Sequence, residues 1–289
     1  MNSYIKDKKE KTININKMKL FVNHLSTDNI GKYLKENKID HIDFSLFVDA
    51  VPKSHDELSS INVLVIQEPN EYFGIHDFAI VNKDLFSFIL TWDDKVLNNV
   101  PQSMLFPFGN IWITPEQYLK NHDKKFEVSH LCGKLLKTYG HSLRHELLAR
   151  KNEIKIPTNF YDVYGDRYNI DDARKGKEFI FGSSQFGVVI ENTSHRGYFT
   201  EKITDCLALK TIPLYWGCSN ITDFFNKDGI IKFENVDDLI YILNNLDENY
   251  YNQHLEAVED NYNRVVSYVD YEVRIAKKIK EIFEFNNLI

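Results

Sequence analysis

The sequence predicts an α/β protein of two domains, each built on a parallel sheet. Three observations carry that prediction. The chain has 289 residues, above the usual size of one domain. It contains apolar runs of four to eight residues rich in β-branched and aromatic side chains, the mark of strands buried on both faces. Those runs alternate with polar, helix-compatible stretches, and the alternation restarts midway along the chain.

The elements follow in order. Residues 1–17, MNSYIKDKKEKTININK, are charged, have no apolar signal-peptide core behind them, and read as a flexible lead-in. From Lys19 the runs KLFVNHL, FSLFVDA, INVLVIQ, FAIVN and FSFILTW, ending in SMLFPFG at 103–109, read as strands, with 28-DNIGKYLKENK-38 the one good helix among them. After PFGNIWITPEQYLKNHDKK the pattern begins again. FEVSHLCG, FYDVYG, FGVVIEN, TIPLYWG and GIIKF read as strands, and 142–152, the segment after Thr200 and 236–246 as helices. Residues from Leu255 to Phe285 place Val265, Val269, Val273, Ala276, Ile279, Ile282 and Phe283 at helical spacing, long enough to return to the first domain. The expected divisions are 1–120, 121–260 and a C-terminal helix at 261–289.

Composition narrows the function. A net charge of -7 lacks the Lys and Arg surplus that displaces counterions from nucleic acid, so no nucleic-acid partner is expected. Three cysteines, with no C-x-x-C pair, suggest neither a disulfide framework nor a zinc site and fit a reducing, cytoplasmic setting. No apolar run approaches the roughly 20 residues that span a bilayer. The basic segment 274-RIAKKIKEIF-283 reads as a solvated face, with weak peripheral membrane contact as the alternative. There is no H-E-x-x-H, Cys/His cluster or Asp-x-Asp, and no G-x-G-x-x-G, Walker loop or G-x-S-x-G. No metal and no cofactor are therefore expected.

Ligands of parallel sheets sit beyond the carboxyl ends of the strands, which directs attention to the segments after strands. In 190-IENTSHRGYFTEKITDCLALKTIPLYWG-217, Thr200 is a plausible N-cap and Glu201 suits the positive end of the helix it opens. Lys202 opposes that end, either by pointing into water or because a bound anion sits between the ammonium and the free N–H groups. Arg167, after the strand that ends at Gly165, and Arg144, early in its helix, add cations on successive post-strand segments, although a lone Arg is more often a solvated surface residue. In the first half, Glu68 follows a strongly apolar strand and could serve as a general base; Glu71 is its rival, and a turn-forming surface Glu is the plainer reading.

The 190–217 stretch resembles the signature of the family-10 glycosyltransferases, the α1,3/4-fucosyltransferases, through Tyr198, Thr200, Glu201, Lys202, Pro213 and Gly217, with Ile190 in place of the usual aromatic. YDVYG, SLRHELL, LFPFG and IQEP are weaker likenesses. The resemblance implies a GT-B fold, two Rossmann-like domains about a central cleft with the last helix returning to the first domain. It implies GDP-fucose as donor, an oligosaccharide or surface glycan as acceptor, and transfer with inversion. Lys202 and Arg167 would neutralise the diphosphate, with Arg144 and Asn192 also at the donor site. Tyr198 and Glu201 would hold phosphate or sugar hydroxyls, and Glu68 would be the base. Another nucleotide sugar on the same fold, or a non-catalytic glycan- or nucleotide-binding protein, are the alternatives.

Overall fold

The computed structural model describes residues 11–23, 27–162 and 173–289. They form two compact α/β units, one of residues 1–108 and 270–289 and the other of 109–269. Each unit has its own sheet.

In the first unit β1 (Lys11–Ile15), β2 (Met18–Val22), β3 (Phe44–Val48), β4 (Ile61–Ile66), β5 (Phe88–Thr91) and β6 (Ser103–Leu105) lie side by side in sequence order. β1 and β2 are an antiparallel pair; every later neighbour is parallel. The strands β3 and β4 are buried nearly throughout, as continuous runs in a doubly covered sheet should be. One face carries α1 (Thr27–Glu36), with Ile30 and Leu34 buried against Leu20, Leu46 and Val63. The other face carries α2 (Asn70–Phe73), α3 (Ile75–Val81) and α4 (Asp94–Asn99), where Ile75, Ala79 and Val96 meet Phe47, Leu64 and Ile89.

Two expectations fail here. Residues 11–15, expected in a flexible lead-in, are strand β1, because they pair residue by residue with β2, Lys11 opposite Val22 through Ile15 opposite Met18, across a two-residue turn in which Asn16 takes φ 53°. FAIVN, expected as a strand, lies in and just after α3. A short apolar run does not by itself separate strand from helix. Its helical period places Ile75, His76 and Ala79 inward and leaves Val81 79% exposed.

The second unit opens with α5 (Pro115–Tyr118), capped by Thr114 and Gln117, and then β7 (Lys125–Cys132), α6 (Tyr139–Ala149), β8 (Thr158–Asp162), α7 (Ala173–Phe181) and β9 (Ser184–Ile190). α8 (Glu201–Ala208), β10 (Ile212–Trp216), β11 (Ile231–Lys232), α9 (Val236–Asn244), α10 (Tyr250–Gln253) and α11 (Leu255–Val265) complete it. The sheet order is β11-β10-β9-β7-β8, all parallel. From β7 the chain steps to β8 on one side and then returns to place β9 on the other, which makes the β7/β9 edge the topological switch point.

The long C-terminal helix expected from the apolar spacing is broken. α11 ends at Val265, Asp270 takes a left-handed φ of 54°, and α12 (Tyr271–Phe285) starts afresh in the first unit. There Tyr271, Ile275, Ile279 and Phe283 recur every four residues and are fully buried beside α1. Burying side chains of this size contributes about 1.5–3 kcal/mol each. The units divide at Phe108/Gly109 and Val269/Asp270. Segment 109–113 is tied into the second unit: the Gly109 N–H donates to the Phe199 carbonyl at 3.1 Å, Thr204 donates to the Asn110 carbonyl, and Asp205 Oδ1 accepts from the Trp112 and Ile113 amides. Among the described residues no helix is long and apolar enough to cross a membrane.

Candidate functional site

A cavity of about 210 Å³ opens in the second unit at the switch point, walled by His130, Leu131 and Gly133 from the end of β7 and by Val188–Ile190 from β9. Its polar lining comes from three helices: Arg144 on α6, Lys177 on α7, and Glu201 and Lys202 on α8. Sheet topology thus brings together side chains that stand up to 58 positions apart by putting each at the end of a βα unit.

Glu191, the residue after β9, organises the α8 end of the site. It is fully buried, and its carboxylate accepts from the Thr200 amide at 2.9 Å and the Thr200 hydroxyl at 2.7 Å. A carboxylate beneath a helix N-terminus is favoured by the helix dipole, but burying its charge is costly unless it is paired. Lys202 supplies the pairing. Its Nζ lies 3.6 Å from Glu191 Oε2, 3.2 Å from Glu201 Oε1 and 3.0 Å from Thr200 Oγ1. The sequence leaves open water or a bound anion as the answer to this lysine. The structure gives a further one, since two protein carboxylates balance it at a position that is 22% exposed. Thr200 is the N-cap, as its place in the sequence suggests.

Glu201 is buried, which by itself favours its neutral form, yet Lys202 and Lys177 prevail and hold it down to about 2. Lys177 is itself nearly buried, 3.5 Å from Asp205, and its ammonium stands 5.7 Å from the Trp112 ring. Asp205 is raised to about 6 by burial, against the pull of Lys177.

Arg144 is held rather than free. Its Nε donates to the Ile190 carbonyl at 3.0 Å, and its Nη2 donates to the same carbonyl and, at 2.9 Å, to Asn192 Oδ1. That grip requires α6 to approach the chain after β9 closely. Gly140 permits the approach: a Cβ there would lie 1.9 Å from the Glu191 carbonyl oxygen. His130 is buried, its Nδ1 faces the Val188 carbonyl at 3.2 Å, and burial lowers it to about 4, so its ring is neutral.

Of the residues singled out in the sequence, Arg144, Glu201 and Lys202 line this cavity, and Asn192 touches it through Arg144. Tyr198 is buried close by, while Arg167 lies outside the described residues. Glu68 belongs to the first unit, in the turn after β4, and Glu71 is exposed in α2. The Glu68 turn is held at every backbone polar group. Asp49 Oδ1 accepts from the Gln67 and Glu68 amides at 2.8 and 3.3 Å, Trp92 Nε1 donates to the Gln67 carbonyl at 2.7 Å, and His76 Nε2 meets the Glu68 carbonyl at 2.8 Å. Glu191, Lys177, Asp205 and Asp49 were not singled out in the sequence. Glu191 had a signal, since it sits inside the motif.

Residues 137–280 match the model described as "Glycosyltransferase family 10 (fucosyltransferase) C-term". Over 76 residues, 25% of this chain, the sequence is 36% identical to an α-(1,3)-fucosyltransferase FucT of Helicobacter pylori, of which that segment is only 15%. Among solved structures it is similar to an α1,3-fucosyltransferase at a TM-score of 0.52 and 16% identity, covering 78% of this chain and 76% of the other. It is similar also to an α1,3-fucosyltransferase solved with GDP-fucose, at 0.50 and 18% over the same shares. At those identities the structural likeness bears on the fold alone, and that fold is GT-B.

Proposed function

Since the chain belongs to glycosyltransferase family 10, we propose that it transfers fucose from GDP-fucose to a hydroxyl of an oligosaccharide or surface glycan, with inversion and without a metal. One observation supports the reading most. A single cavity at the switch point of the second unit gathers Arg144, Lys177 and Lys202 around the N-terminus of α8. Amide dipoles and side-chain cations are what a diphosphate leaving group requires as its charge grows. The H. pylori relative is named for this activity, and one neighbouring structure holds this donor.

In the proposed reaction the acceptor hydroxyl attacks the anomeric carbon from the face opposite the diphosphate. Glu68 takes the hydroxyl proton as the new C–O bond forms and the bond to the diphosphate breaks. The GDP leaves with the electron pair. Lys202 and Arg144, with Arg167, stabilise the departing charge, which is greater in the transition state than in the ground state and so lowers the barrier. Tyr198, Glu201 and Asn192 orient phosphate or sugar hydroxyls.

The test is calorimetry with GDP-fucose and GDP on wild type and Lys202→Ala. GDP affinity should fall at least tenfold, about 1.4 kcal/mol. Unchanged GDP affinity would remove Lys202 from the donor site. A thermal-shift screen of nucleotide sugars tests the sugar, because a ligand specific to the folded state raises the melting temperature. Stabilisation by a different sugar nucleotide and none by GDP-fucose would reassign the donor. Transfer should persist in EDTA; a loss reversed by manganese would refute the metal-free reaction.

A further inference from the structure

Asp49 stands at the carboxyl end of β3 and is 2% exposed. Its backbone takes φ 46°, a left-handed conformation that non-glycine residues rarely adopt and that clusters at functional sites. Asp49 Oδ1 spans the amides of Gln67 and Glu68. Its second oxygen, Oδ2, is buried without a hydrogen-bond partner, as are Gln67 Nε2 and Tyr271 Oη. Among the described residues no cation lies within ion-pair distance of it.

A carboxyl placed only to grip two amides gains nothing from a second buried oxygen, because an amide would grip equally and add no charge. We infer that Asp49 is a positioning residue for transfer, fixing the Glu68 turn through one carboxyl oxygen and setting the charge beside Glu68 through the other. The inference rests on the reading of Glu68 as the base. Burial, reinforced by the Glu68 charge, raises Asp49 to about 7, so the group holds its proton in mild acid and gives it up near neutrality. Above that point a second negative charge beside Glu68 strengthens it as a base. The charged and titratable groups that bear on Asp49 are Glu68 on the following turn, His76 on α3, with Asp93 behind it, and Tyr271 on α12, on which Arg274 and Glu272 also act. Burial pulls His76 down, but Asp93 and the Glu68 carbonyl leave it raised above its ordinary value, so it is a second titrating group beside Asp49. The readout is therefore the difference between wild type and a variant lacking only the Asp49 proton.

The experiment compares wild type, Asp49→Ala, Asp49→Asn and Glu68→Gln by kcat and donor KM from pH 5 to 9, with melting temperature and GDP affinity as folding controls. Asp49→Ala should lose about 10²-fold in kcat at unchanged donor KM, the scale of a misplaced catalytic group. Asp49→Asn, which keeps the acceptor, should recover to within about tenfold of wild type while lacking the wild-type rise in kcat near pH 7. Wild-type kcat in Asp49→Ala, or an Asp49→Asn profile that superimposes on wild type, overturns the proposal. Should Asp49→Ala not fold, the Asp49→Asn profile decides alone. Full turnover in Glu68→Gln overturns the base reading and this role with it. Loss of turnover in Glu68→Gln beside a wild-type Asp49→Asn profile overturns this role only.

Discussion

Each unit contains the same device in a different electrostatic setting. Asp49 in the first unit and Asp205 in the second are buried carboxyls that use one oxygen to grip two consecutive amides, Gln67–Glu68 and Trp112–Ile113 respectively. In both, Oδ2 is buried without a hydrogen bond. They differ in their charged neighbours: Asp205 has the Lys177 ammonium at 3.5 Å, whereas Asp49 has the Glu68 carboxylate for company. The two carboxyls sit at about 6 and about 7 accordingly. A paired carboxyl serves as a fixed strut of the cavity wall, and an unpaired one remains free to change its proton near neutrality.

The sharpest way to break this comparison is to make Asp205 resemble Asp49. Lys177→Met should remove the counter-charge of a fully buried carboxyl and cost about 3–5 kcal/mol near pH 8. Thermal melts from pH 8 down to 5 should show the loss shrinking as Asp205 takes up its proton. A loss independent of pH would mean that packing, not charge, made the pair valuable.

A smaller effect tests the rigidity on which the second unit depends. Gly140→Ala puts a methyl against the Glu191 and Asn192 backbone, where a Cβ meets oxygens at 1.9 and 2.8 Å, and should cost about 1–3 kcal/mol. The chain after β9 must shift to admit it, so GDP affinity should fall with stability. A variant of wild-type melting temperature would show that α6 can move away freely.

The smallest effect lies in the pH dependence. A carboxyl raised in the folded state ionises first in the unfolded chain, so its contribution to stability declines as pH rises from its unfolded value to its folded one. For Asp205 that window runs from about 4 to about 6, and for Asp49 from about 4 to about 7. Asp205→Asn and Asp49→Asn should each remove their own part of the decline in melting temperature, the second extending higher in pH. Identical slopes in the two variants would erase the distinction between the units.

Much of the second unit was legible because its strands are continuous apolar runs and its site residues follow them directly. Thr200, Glu201 and Lys202 sit in one motif, and a helix start is a local property of sequence. Lys177 and Asp205 were not legible, because 28 positions separate them and only the packing of α7 beside α8 makes them a pair. Glu191 was in view, but its burial, and hence its claim on Lys202, depends on β9 and β10 enclosing it. FAIVN misled in the first unit since five residues are too few to show a period. Asp49 was hidden for another reason: an Asp ending a strand looks like any turn residue until its oxygen is seen to grip the amides of the next strand's end.

The first unit is discontinuous in the chain, and this has a consequence in time. Its core includes Tyr271, Ile275, Ile279 and Phe283 of α12, which leave the ribosome only after all of residues 109–269. At about 5–20 residues per second, synthesis of those residues takes roughly 10–30 s. During it the first sheet presents Leu20, Leu46 and Val63 without the last helix that covers them. The core of the unit carrying Glu68 is therefore completed only after the whole chain that builds the Arg144, Lys177 and Lys202 site has been synthesised.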